Sequence, residues 1–344
     1  MKRWLCLVLA LAAALALAAC GKQEAPEASA AEPENIRIGM LFDTFVVERW
    51  QRDRDIFVST AQELGAEVTV QSANGDVAEQ EAQMKAMIAA GMDVLVVVPI
   101  DSEPLAPLVR QAQEAGIRVI SYDRLIENGG ADLYISFDNE AVGRLMAEAV
   151  ADRLSSGDRV LMLCGPTTDA NTAQVTKGFT EALSGTGITI TDVFHAEGWK
   201  AEYAAQYIRE HSEEVREVQA IMCGNDNLAT FAVQALAELQ LAGKIHIVAQ
   251  DADLEACQRI VEGTQDMTVF KSVDKLAAEA ARAAVDLAQG TPPETEQTIS
   301  DGTGKVPYIR LDPVAVTAEN MDDVILASGF HLREDVYQNI ENAG

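Results

Sequence analysis

The chain has 344 residues, 48% hydrophobic and 23% charged, with 26 Lys and Arg against 54 Asp and Glu for a net charge of −28. That balance excludes a disordered chain, and the length predicts two domains rather than one core. The acidity excludes nucleic acid as a partner and disfavours anionic lipid as a surface for the folded body. Five cysteines without a C-x-x-C spacing, and four histidines (195, 211, 246 and 331) without metal-ligand spacing, predict no metal and no zinc or disulfide framework.

Lys2 and Arg3 precede an uncharged apolar run from Trp4 to Ala19. This run falls short of the roughly 20 residues that span a bilayer and reads as a signal peptide over residues 1–19. It ends Leu17-Ala18-Ala19-Cys20-Gly21, which resembles a bacterial lipobox and implies lipidation of Cys20. A secretory signal with an incidental cysteine is the alternative. Residues 20–35, rich in Ala, Glu and Pro, read as a flexible tether. The protein is expected to be exported and lipid-anchored, in the periplasm or on the outer face of the cell membrane, touching the membrane through that anchor only.

From Ile36 onward short apolar runs alternate with amphipathic stretches. Strands are predicted at 36–42, 67–71, 93–99 and 118–122, with helices over 49–64, 76–91 and 103–115 between them. Met84, Met87 and Ile88 show the helical spacing, and Ala90-Gly91 and Ala115-Gly116 supply stops. After a strand at 133–136 the pattern restarts: strands at 159–164, 188–194, 219–223, 245–250 and 267–271, with helices near 169–184, 199–214, 226–241 and 253–262. A helix at 273–289, a Pro/Gly/Thr-rich stretch at 290–304, a strand at 305–311 and a helix near 319–328 close the chain. Such alternation predicts α/β architecture: two lobes of similar construction, each a parallel sheet with right-handed crossovers.

Ligands of open parallel sheets sit beyond the carboxyl ends of the strands. Here those ends carry Asp43, Asp101, and Asp123-Arg124 in the first lobe. In the second they carry Asp169 and Asn171, Asn225 to Asn227, Asp251 to Asp253, and Lys271. Asp and Asn at such junctions also serve as helix N-caps, and both readings apply to each of them. Arg124 and Lys271 have no capping explanation. Two such edges facing each other would form a cleft of carboxylates, amides and cations, suited to a neutral polyhydroxylated ligand whose hydroxyls both donate and accept. Trp50 and Trp199 stand near these edges and offer flat apolar partners for a sugar face; core packing is the alternative for each. Cys164 and Cys223, at the ends of two second-lobe strands, are expected as buried free thiols together with Cys257. Parallel neighbours rarely give disulfide geometry.

The stretches ERWQRDRDIFV (48–58), QSANG (71–75), YDRLI (122–126), YISFDNE (134–140), AQDADL (249–254) and GTQDMTVFK (263–271) are similar to the D-xylose-binding branch of the type I periplasmic sugar-binding proteins of ABC importers. The resemblance runs from about Ile36 to about Leu332. It implies two Rossmann-like lobes joined by a three-crossing hinge, near 137–140, 271–273 and 311–313. One lobe would comprise 36–138 plus 272–312, the other 139–271 plus 313–334. It implies a monomeric receptor, without cofactor or catalysis, that closes on a monosaccharide and delivers it to the importer's permease. It also implies sugar contacts from Arg49, Trp50, Asp123 and Arg124 in the first lobe, and from Asn171, Trp199, Asn225, Asp251 and Lys271 in the second. Where the family carries an arginine five residues after that asparagine, this chain has Thr176, a shorter neutral side chain that marks a candidate determinant of specificity. A receptor for several sugars or for hexoses, feeding an importer or a chemotaxis or kinase sensor, is the alternative.

Two other functions are weighed. A sugar-modifying enzyme needs paired carboxylates with one held protonated, whereas Asp123 and Asp251 are expected beside cations that make them poor acids. The effector domain of a repressor needs an N-terminal DNA-binding unit and a basic face, where this sequence has a signal and a tether. No phosphate-binding glycine loop and no G-x-S-x-G elbow occurs.

Overall fold

A computed structural model describes residues 35–46 and 49–340. The segment expected as a signal peptide, Cys20 and the expected tether up to residue 34 lie outside the described residues. Among the described residues thirteen strands form two sheets. The first sheet is built from β1 (Ile36–Phe42), β2 (Ala66–Ser72), β3 (Val94–Val97), β4 (Arg118–Tyr122) and β5 (Leu133–Phe137), then completed by β11 (Thr298–Ser300) and β12 (Lys305–Leu311). Their order is β11-β12-β5-β4-β3-β1-β2, parallel except for β11. The second contains β6 (Arg159–Cys164), β7 (Thr189–His195), β8 (Ala220–Cys223), β9 (His246–Gln250), β10 (Met267–Phe270) and β13 (Val314–Val316), in the order β13-β10-β9-β8-β6-β7 with β13 antiparallel.

Both faces of each sheet are covered, which is why strands such as Val94–Val97 are buried at every position instead of alternating. Helices α1 (Arg49–Glu63) and α10 (Val273–Ala288) cover one face of the first sheet, around Phe42, Phe57, Ile120, Leu276 and Ala280. Helices α2 (Val77–Ala89) and α3 (Ala106–Glu114) cover the other, around Met84, Leu95 and Val109. On the second sheet, α6 (Glu202–Glu210) and α8 (Asp226–Glu238) enclose Leu163, Ile208 and Leu228. Its opposite face carries α4 (Asn139–Ala151) and α5 (Ala170–Leu183) around Val142, Met162 and Phe179. Helices α4 and α5 touch backbone to backbone: a Cβ on Gly178 would lie 2.0 Å from the carbonyl oxygen of Glu140, and one on Gly143 2.0 Å from that of Val175.

The chain passes between the sheets three times: from β5 into α4, from β10 into α10, and from β12 into β13. The predicted two-lobe α/β class is the observed one. Several elements differ from the reading of the sequence. Helix α4 occupies a stretch to which no element was assigned. The Pro/Gly/Thr-rich stretch at 290–304, to which no element was assigned, contains β11, and β13 was not foreseen; three-residue strands carry too little alternation to be read. The predicted helix over 199–214 breaks at His211 into α6 and the short α7 (Ser212–Val215). The helix expected at 319–328 is a π-helical segment, Asp322–Leu326, packed with α9 (Leu254–Glu262) and α11 (Arg333–Val336) around Cys257, Ile325 and Val336. Cys223 lies opposite Leu163 in the register, and Cys164, Cys223 and Cys257 are buried free thiols.

Candidate functional site

The carboxyl ends of the two sheets face each other across a cavity whose unfilled space, counted out into the solvent at its mouth, is about 520 Å³. Arg49, Trp50, Asp123 and Arg124 line it from the first lobe. Asn171, Trp199, Asn225, Asp251 and Lys271 line it from the second, with Thr176 in the same wall. The structure therefore brings together in one lining the nine residues expected as sugar contacts, together with Thr176. Asp43 and Asp101 do not reach this cavity. They border a wider groove outside it, and the Asp101 carboxylate accepts the backbone N–H of Glu103.

The polar groups hold one another in place. Arg49 is the first residue of α1; its guanidinium lies over the Trp50 ring, 4.3 Å from the centroid. Arg49 Nη2 donates to Asp123 Oδ2 at 2.7 Å, and Nη1 lies 3.8 Å from Asp251 Oδ1. From one turn on, Asp53 approaches Arg49 Nε at 3.5 Å and accepts the Tyr122 hydroxyl. Lys271 Nζ lies 2.8 Å from Asp251 Oδ1. Arg124 is shared between the lobes: Nη1 reaches Asp43 Oδ2 at 2.7 Å and the carbonyl of Pro99 at 3.1 Å, while Nε reaches Asp169 Oδ2 at 2.8 Å. Asn171 Nδ2 donates to Asp123 Oδ1 at 3.1 Å and Asn139 Nδ2 donates to Asn171 Oδ1 at 2.9 Å, so α4 and α5 jointly aim the amide.

The two readings of the edge residues turn out to coexist. Asp169 caps α5 by accepting the N–H of Asn171 at 2.9 Å, and its other oxygen takes Arg124 and the indole N–H of Trp199 at 3.1 Å. Asn225 caps α8 through Oδ1, leaving its amide N–H groups to serve the cavity. Three lining residues have positive φ: Asp123 (61°), Trp199 (58°) and Asp251 (104°). That region is costly for residues with a Cβ, and tertiary contacts must enforce it. For Asp123 the backbone carbonyl accepts Tyr134 Oη at 3.0 Å and Ser136 Oγ at 2.5 Å. For Asp251 the N–H donates to Val269 at 2.9 Å, and the next N–H donates to Thr268 Oγ1 at 3.1 Å. Trp199 lies flat on Gly165, where a Cβ would stand 2.3 Å from the ring, so only glycine permits its placement.

Burial opposes ionisation of Asp123, but Arg49, Lys271 and Arg124 outweigh it and hold this carboxyl below the ordinary carboxylate range. Burial pushes Asp169 up despite Arg124 beside it, and pushes Asp53 up to about 6 despite Arg49 and Tyr122. Each cation of the cavity already faces a carboxylate, so the site offers hydrogen bonds rather than a net charge to a ligand. Trp50 Nε1, Thr172 Oγ1 and Gln250 Oε1 are buried at its edge without a hydrogen-bond partner among the described residues. Buried polar atoms are rarely left so, and three around one cavity mark it as a place for a polar molecule. Gln250 and Thr172 were not found from the sequence, although a glutamine closing an apolar strand directly before Asp251 was an available signal. Asp53, four residues after Arg49 on one helix face, was another.

A two-lobed α/β protein with a neutral, hydrogen-bonding cavity between its sheet edges has the form of a solute receptor. The chain belongs to the periplasmic binding protein family, whose domain model matches residues 38–292. It is 40% identical over 315 residues to the D-xylose-binding periplasmic protein of Haemophilus influenzae, covering 90% of this chain and 94% of that one. It is 39% identical over 313 residues to the D-xylose-binding periplasmic protein of Escherichia coli, covering 89% and 94%. Among solved structures it resembles a carbohydrate transporter solute-binding protein of Chloroflexus aurantiacus in complex with D-glucose: TM-score 0.81, 26% identity, 87% of this chain and 97% of the other. The resemblance read from the sequence motifs is thus the one that whole-chain comparison returns.

Proposed function

We propose that this protein captures a neutral monosaccharide, D-xylose first among them, between its two lobes and delivers it to the permease of an ABC importer without changing it chemically. The observation that carries the reading is the cavity itself: charge-compensated donors and acceptors from both lobes, three buried polar atoms left to pair, and the rings of Trp50 and Trp199 at its margin. Four or five charge-assisted hydrogen bonds at about 1.5–3 kcal/mol each reach the roughly −8 kcal/mol of a micromolar site after the costs of closure. The 39–40% identity to D-xylose-binding proteins supports the choice of sugar. The lobes, 36–138 plus 272–312 and 139–271 plus 313–334, hinge at the three crossings, and lipidation of Cys20 tethers the exported receptor to its membrane.

Thr176 in the cavity wall, together with the D-glucose held by the Chloroflexus relative, supports a second reading as a hexose or multiple-sugar receptor. A thermal-shift and calorimetric panel of pentoses and hexoses tests both, because a ligand that binds only the folded state raises its melting point. Saturable binding of D-xylose with no conversion of the sugar is expected. A folded protein that binds no monosaccharide would end both readings.

A further inference from the structure

The cavity wall is polar on most sides and apolar on one. Cys164 at the end of β6, Met222 in β8 and Val175 in α5 line it with exposures of 1%, 0% and 3%. All three also belong to the core cluster that holds Met162, Phe179 and Val248. This side of the cavity is therefore the top of the second lobe's hydrophobic core, unable to yield or hydrate without disturbing the lobe. Thr176 Oγ1 is the hydroxyl of that wall, and it stands 3.7 Å from Cys164 Sγ. Burial pushes the Cys164 thiol up to about 11, so the wall is uncharged at neutral pH.

A pyranose with its hydroxyls on the arc of Arg49, Asp123, Asn171 and Asp251 would have its hydroxyl-free edge left for Cys164, Val175 and Met222. In an aldopentopyranose that edge is the C5 methylene. We propose that the site accepts 6-deoxyhexopyranoses, whose C5 substituent is a methyl group, alongside pentopyranoses and ahead of the parent hexoses. This rests on the sugar-binding reading above. A methyl against the wall gains up to about fourfold in affinity from burial. On the Cys164–Val175–Met222 side the hydroxyl of a hydroxymethyl group meets Thr176 Oγ1 and a thiol, and a poorly matched buried hydroxyl costs about tenfold or more.

The test is a set of titrations with D-xylose, 6-deoxy-D-glucose and D-glucose on the wild type, Thr176→Val and Thr176→Ser. On the wild type, 6-deoxy-D-glucose is expected within about threefold of D-xylose and about tenfold tighter than D-glucose. Thr176→Val, which keeps the shape and removes the hydroxyl, should weaken glucose by a further tenfold or so relative to xylose and the deoxy sugar, whose mutual ratio should hold within about twofold; Thr176→Ser should keep the wild-type order. If xylose binds but 6-deoxy-D-glucose is no tighter than glucose, or if Thr176→Val weakens all three alike, the wall does not face C5 and this inference falls while the receptor reading stands. If no sugar binds, both fall.

Discussion

Asp169→Asn isolates what the pairing between lobes contributes to closure. Arg124 follows β4 of the first lobe and Asp169 precedes α5 of the second, so their 2.8 Å contact exists only when the edges meet. Asparagine is as good a cap as aspartate and can still accept the N–H of Asn171. Its amide would then turn N–H groups toward two other donors, Arg124 Nε and the indole of Trp199. A hydrogen bond to a charged group is worth about 1.5–3 kcal/mol. The burial that raises the Asp169 pKa shows that its charge carries a desolvation cost, which places the loss at the lower end. Arg124 keeps Asp43 and Pro99 in either state. The expected result is a ligand dissociation rate faster by about 10- to 30-fold, with association and the unliganded melting temperature nearly unchanged. Trp50 and Trp199 at the cavity make stopped-flow tryptophan fluorescence the natural assay. A dissociation rate unaltered in a folded variant, or a loss confined to association, would refute the view that this ion pair stabilises the closed state.

Three further outcomes follow from the geometry. Asp251→Ala should weaken sugar binding by at least about 1.5–3 kcal/mol. Lys271 is 5% exposed beside Asp251, and stranding a buried ammonium costs up to about 3–5 kcal/mol, so urea titration should also show a loss of stability, partly recovered in Asp251→Ala/Lys271→Met. Asp53 and Asp226, pushed up by burial to about 6 and about 7, bind protons in the folded state that the unfolded chain has released. Stability should therefore rise as pH falls from about 7 toward 4, then decline below 4 as the lowered carboxyls of Asp123 and Asp301 protonate; calorimetric scans of the wild type and Asp226→Asn should show the first slope flattened in the variant. Gly178→Ala, with its Cβ 2.0 Å from a backbone oxygen of α4, should destabilise by about 1–3 kcal/mol or more and weaken sugar binding by moving Asn171 away from Asn139; an unchanged melting temperature would contradict the close crossing.

Much of the site could be read in the sequence because its chemistry sits where strands end, and strand ends are marked by the change from apolar runs to Asp, Asn, Arg and Lys. Arg49 came only through resemblance, since it opens a helix and follows no predicted strand directly. What stayed hidden depends on pairs distant in the chain. Nothing local says that Asp169 will meet Arg124, or that Asp123 and Asp251 will be held at positive φ by Tyr134, Ser136 and Thr268. The apolar wall was hidden for the opposite reason: Cys164, Val175 and Met222 follow the ordinary core pattern of their elements, and their exposure to a cavity is a property of where the core stops.

Helix α10 supplies Leu276, Ala277, Ala280, Ala281 and Ala284 to the core that covers β1, β3 and β4, yet it lies beyond the whole run of β6 to β10. A chain that emerges from its N-terminus first therefore presents residues 36–137 with one face of their sheet only half covered. The second lobe lies between that segment and the helix that seals it, and β13 completes the second sheet later still. The order of synthesis and the order of completion run differently, so the early segment must stay loosely structured or shielded until residue 288 has appeared. A chain stopped before α10 would lack the cover of its first half, and halving the gene at the β5–α4 crossing would not yield two independent modules.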